Sequence, residues 1–145
     1  MKTTVYLLLT VLLFASCKSK PEQIAAIEFS TSPCFGTCPI FSMTIAENGT
    51  ATYDAESYNT LSGKFKTVIK KESLDSLHAL INKVDWSAIK NKYTADITDQ
   101  ASFRLTLTFK SGKRKEISDY GQNGPKDLID IYVKIISFRD SQAWK

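Results

Sequence analysis

Two cysteines stand four positions apart in Pro33-Cys34-Phe35-Gly36-Thr37-Cys38-Pro39, and thiols at that spacing could do three kinds of chemistry. They could close a five-residue ring as a disulfide. The chain between them could extend to about 13 Å, whereas bridged Cα atoms sit about 4.4–6.8 Å apart, so it must turn, and Gly36 at the centre makes that easy. They could act as a redox pair, but such pairs use Cys-x-x-Cys at a helix start. Here the spacing is one longer, and Pro39 disfavours helical geometry at Cys38. They could supply half of a tetrahedral zinc site, yet the only histidine, His78, is remote in sequence.

Asp96 and Asp99 are the next candidates, three apart in Thr94-Ala95-Asp96-Ile97-Thr98-Asp99. Paired carboxylates serve general acid–base catalysis or calcium binding. A calcium loop needs more oxygen ligands than these, and aspartate's local hydrogen-bonding habit makes a turn the simpler expectation. Lys110-Ser111-Gly112-Lys113-Arg114-Lys115 gathers four cations at a hairpin tip. Lys113, Arg114 and Lys115 are candidate contacts for anionic lipid or an anionic polymer, against the alternative of a solvated tip that protects an exposed strand. No nucleophile elbow, phosphate-cradling glycine loop or zinc helix occurs, and no cofactor or metal is expected.

The elements that must hold these residues follow from periodicity. Ile24 to Ser30 reads as a first strand, and after the cysteine loop Phe41, Met43 and Ile45 alternate on a second. Asn48-Gly49 predicts a tight type I′ turn into a strand aligning Ala51, Tyr53 and Ala55. A weaker strand covers Gly63 to Ile69. Leu74, Leu77, Ile81 and Val84 then recur at helical spacing, with Ser73 as N-cap. His78 falls at the edge of that stripe, and Trp86 and Ile89 continue its packing.

Ser102 to Lys110 is the clearest strand, with Phe103, Leu105, Leu107 and Phe109 on one face, and Ser111-Gly112 turns it into Lys113 to Tyr120. Gly124-Pro125 opens a last helix to about Arg139. The order β-β-β-β-α-β-β-α predicts an α+β fold. It is an antiparallel sheet with both helices packed on one face, a two-layer sandwich.

Composition bounds the rest. The chain has 145 residues, 43% hydrophobic and 23% charged, with a formal charge of +4. That is enough for one core and too mild a charge to indicate a nucleic-acid partner.

The N-terminus is outside the expected fold. Lys2 is followed by the apolar run Val5 to Phe14, too short to span a bilayer and of the length of a secretory signal core. Leu13-Phe14-Ala15-Ser16-Cys17 resembles the lipobox of bacterial lipoproteins. That resemblance implies cleavage before Cys17, a diacylglyceryl thioether on its sulfur and a further fatty acid such as palmitate on its nitrogen. Residues 1–16 are then the signal peptide, 17–23 the lipidated cysteine and tether, and 24–145 one α+β domain. Several acyl chains, at about 0.8 kcal/mol per buried CH₂, anchor a protein durably. Lys18 rather than aspartate follows the cysteine, which in such lipoproteins implies the outer membrane, facing the periplasm. In an oxidising compartment the two remaining cysteines then favour the disulfide.

Beyond the lipobox, the chain resembles a family of uncharacterised bacterial lipoprotein domains with a Cys-x-Gly-x-Cys-Pro loop after the first strand, here Cys34 to Pro39. Asn48-Gly49, Tyr53, Thr98-Asp99 and Pro125 match its further landmarks, and Phe41 stands where members often carry tyrosine. The resemblance implies no activity. The expectation is a membrane-anchored, non-catalytic binding or structural module of the cell envelope, with Phe35, Asp96 and Asp99 as candidate contacts for an envelope protein. The alternative is a small hydrolase-like envelope enzyme using aspartate and tyrosine side chains, or a thiol-redox protein.

Overall fold

A computed structural model describes residues 22–145; Cys17, with the lipobox and the start of the tether expected around it, lies outside the described residues. The elements run β1 (Ile24–Thr31), β2 (Ile40–Ala46), β3 (Thr50–Ser57), β4 (Gly63–Val68), α1 (Lys71–Lys83), β5 (Lys92–Tyr93), β6 (Ser102–Phe109), β7 (Arg114–Tyr120) and α2 (Lys126–Ser141). The fold is α+β, with seven strands in one sheet ordered β4-β3-β2-β1-β6-β7-β5. Every pairing is antiparallel except β5 with β7. Periodicity in the sequence predicts six strands. The seventh, β5, is two residues long and has no alternation of its own to betray it.

Alternation decides which face is covered. Phe41, Met43 and Ile45, Ala51, Tyr53 and Ala55, and Leu105, Leu107 and Phe109 are buried on one side of the sheet. Leu74, Leu77 and Ile81 of α1 and Leu128, Ile131, Ile135 and Phe138 of α2 join them in a single core cluster. Both helices therefore cover one face, and the other is open. Ile24 and Ile27 are an odd interval apart, yet both are buried. A register shift between Ile24 and Ala26 explains this, because the extra residue of a bulge re-aims the strand.

Neither helix has a side-chain cap. The expected Ser73 N-cap is incorrect: the cap position is Lys70, three residues earlier, and Ser73 lies inside the helix. A good cap contributes about 1 kcal/mol, whereas one fully buried leucine or isoleucine contributes about 1.5–3 kcal/mol. Burial therefore sets where these helices sit. The turn after β2 also differs from the expected type I′. Only Gly49 takes positive φ (83°), and its N–H bonds to the Ala46 carbonyl at 2.9 Å. This is a three-residue hairpin loop, a type I turn closed by a left-handed glycine.

Candidate functional site

The connections gather at the two ends of the sheet. At one end the described chain begins. Glu22 meets Ser111 and lies 3.8 Å from the Lys113 ammonium, and the Lys110 N–H donates to the Gln23 carbonyl at 2.8 Å. Strand β1 then runs eight residues, about 25 Å, to the cysteine loop at the opposite end.

Cys34 and Cys38 stand at disulfide distance there, with Cα atoms 5.8 Å apart and Gly36 at φ 148° between them. The braced loop is tied to its neighbours. The Phe35 N–H donates to the Asp99 carbonyl at 3.2 Å, the Ser102 N–H to the Ser32 hydroxyl at 2.8 Å, and the Thr31 hydroxyl to the Pro39 carbonyl at 2.7 Å. Phe35 itself is 88% exposed, and Tyr58 and Ile97 are also large, apolar and exposed.

Of the residues singled out from sequence, Cys34, Phe35, Cys38 and Asp99 are thus brought together. Asp99 adopts φ 67°, and its carboxylate accepts from the Thr98 hydroxyl at 3.0 Å. The chain bends there. Asp96 is exposed on the same loop. His78, half-buried on α1, belongs to neither end.

The basic hairpin lies at the far end and is not the bare cationic tip that its sequence suggests. Lys110 pairs with Glu47 at 2.5 Å, Lys113 with Glu22, and Arg114 with Glu116 at 3.3 Å and Glu28 at 4.0 Å. Lys115 is misassigned to the tip. It sits opposite Leu107 and turns its ammonium onto the Ile89 carbonyl. Among the described residues no group of three histidine, cysteine, aspartate or glutamate side chains could hold a metal ion. No helix there is long and apolar enough to cross a membrane.

Sequence reasoning missed the most unusual residue at the disulfide end. Asp119 is completely buried. Its two carboxylate oxygens accept the backbone N–H groups of Asn123 (2.7 Å) and Gly124 (3.0 Å), which folds the β7–α2 connection onto the end of β7. Gly124 is required, because a Cβ there would lie 2.8 Å from both the Asp119 carboxylate and Leu128. Tyr132 of α2 stacks on Phe103 at 5.7 Å, and its buried hydroxyl has no partner among the described residues. Burial, reinforced by the negative charge of Asp119 and the nearby Tyr93, pushes the Tyr132 hydroxyl well above the usual tyrosine range. The signal was present in the sequence: Asp119 shares its strand parity with Ile117, so a carboxylate had to point into the core.

A second polar spot lies under the other half of the sheet. Arg139 covers the Phe41 ring at 5.2 Å and reaches Tyr53, whose pKa burial raises and the guanidinium partly offsets. Trp144 closes this corner against Tyr53 at 5.1 Å.

Fold and site together define a small α+β domain with a covalently braced loop at one end of its sheet. The chain belongs to the family described as Domain of unknown function (DUF6438), whose profile matches residues 25–139. No curated protein and no solved structure matches it.

Proposed function

We propose that this chain is a bacterial lipoprotein of the cell envelope, anchored by acyl chains on Cys17 in the outer membrane. From there it faces the periplasm and acts as a non-catalytic binding module. The observation that carries this reading is the apolar run ending in Leu13-Phe14-Ala15-Ser16-Cys17, with Cys17 seven residues before β1 begins at Ile24.

The geometry suits such an anchor. Lipid at Cys17 holds the Glu22 end of the sheet near the bilayer, since only a short tether intervenes. The cysteine loop with exposed Phe35 then points away from the membrane, where a protein partner is met. Cys34 and Cys38 at bonding distance fit an oxidising compartment. The ion pairs around Lys110, Lys113 and Arg114 leave the membrane-side tip little net charge, so the acyl chains carry the attachment.

Cell fractionation tests the anchor. The native chain is expected to sediment with outer membranes, resist high-salt washing and dissolve in detergent. A Cys17→Ser variant is expected to lose the membrane pool. Equal membrane retention of both proteins would refute lipid anchoring.

A further inference from the structure

The open face of the sheet is crossed by one register row that touches all seven strands. Following the pairings from edge to edge, it reads Lys64, Asp54, Ser42, Ser30, Arg104, Ser118, Lys92. Lys64 and Asp54 neutralise each other at 3.5 Å. The middle of the row is different. Arg104 is exposed and flanked by a serine on each neighbouring strand, about 4.8 Å away in the hydrogen-bonding direction.

The acids nearest along those strands, Glu28 and Glu116, are both bridged by Arg114. Arg104 therefore has no ion-pair partner among the described residues. Two shallow grooves, of about 310 and 340 Å³, meet at it. One is lined by Glu28, Ser30, Ser42 and Thr44 and the other by Asn91, Glu116 and Ser118, and both share Arg104 and Thr106.

From this geometry we propose that Arg104, with Ser30 and Ser118 on either side, binds the terminal carboxylate of a short peptide. A guanidinium presents two parallel N–H donors that match the two oxygens of a carboxylate. The serine hydroxyls lie where they can donate to the same oxygens, and Lys92 at the end of the row adds a second positive charge. Glu28 and Glu116 are placed one pleat period along their strands, positioned to accept hydrogen bonds from the peptide's own N–H groups. On this face Tyr120 lies one pleat period beyond Ser118, half-buried, and its hydroxyl accepts the Gln100 N–H at 3.1 Å, so the selection of a carboxylate rests on the paired donors of Arg104. An arginine that merely keeps an open sheet face soluble would show no such preference, and the experiment separates the two.

This inference deepens the binding role proposed above, but it is read on the purified chain and does not depend on the anchor. The isotope-labelled full chain in detergent micelles is titrated with N-acetyl-alanyl-alanine, with the same dipeptide as its C-terminal amide, and with inorganic phosphate, each followed by amide resonances. The acid is expected to shift Ser30, Arg104, Thr106 and Ser118 together, and the amide to bind at least about tenfold more weakly. Arg104→Gln is expected to lose about tenfold in affinity, equivalent to about 1.4 kcal/mol, with the rest of the spectrum intact. Arg104→Lys should recover part of that loss. Equal binding of the amide, equal binding of phosphate, an unchanged affinity in Arg104→Gln, or shifts confined to other surfaces would overturn the proposal.

Discussion

A buried carboxylate and a buried hydroxyl lie close together at the disulfide end, and their energetics are opposite. Asp119 gives up its hydration and receives two charge-assisted hydrogen bonds from the backbone. Such bonds contribute about 1.5–3 kcal/mol each way, so Asp119→Ala should lower unfolding free energy by about 2–3 kcal/mol in denaturant melts. Tyr132 is buried with an unpartnered hydroxyl. Removing a polar atom that has no partner relieves a desolvation cost. Tyr132→Phe should therefore leave stability unchanged or raise it by up to about 1 kcal/mol.

The same hydroxyl gives a pH dependence. Its folded pKa is raised above the ordinary 10.0, so the folded state holds the proton where the unfolded chain has released it. Its contribution is complete below about pH 10 and declines as pH rises beyond that. Melts should show stability falling above pH 10 in the native chain, with a shallower fall in Tyr132→Phe. An equal slope in both would place the alkaline sensitivity elsewhere.

Among the elements, the cysteine loop is the one whose form depends on a covalent bond. Closing so small a ring contributes about 2 kcal/mol by loop entropy. A Cys34→Ser/Cys38→Ser double variant should melt about that much more easily while keeping the sheet. Hydrogen exchange should increase first at Phe35 and Ser102, whose N–H groups tie the loop down.

Much at this scale was legible in the sequence. Strands β1 to β4, β6 and β7 and both helices follow from alternation and helical periodicity, because one face of each is buried in the core. What escaped was non-local. Strand β5 exists because Lys92 and Tyr93 lie alongside Ser118 and Asp119, and the Asn91 carbonyl receives the Ser118 N–H. Nothing local to Asn91-Lys92-Tyr93 demands a strand. The start of α1 was misplaced because Ser73 is a good cap residue, but the Lys70 carbonyl accepts the Ser73 and Leu74 N–H groups and begins the helix ahead of it. For the site, the clustering of Phe35 with Asp99 and the ion pairing of the basic hairpin required the fold. Asp119 could have been found by asking which strand positions face inward.

At the scale of the whole molecule the sheet acts as a spacer with two unlike ends and one open face. The described chain begins beside the Lys110–Lys113 turn, and β1 carries the braced loop about 25 Å away. The helices occupy one face and leave Arg104 and its serine neighbours on the other. An anchor at Cys17 would turn this asymmetry into an orientation, with one end at the membrane and both the loop and the open face available in the periplasm.

The most direct test of that picture is mass spectrometry of the N-terminal peptide from protein isolated out of membranes. The account predicts a chain beginning at Cys17, bearing a diacylglyceryl group on sulfur and an acyl group on nitrogen. A peptide beginning at Met1 with an unmodified Cys17 thiol would contradict it.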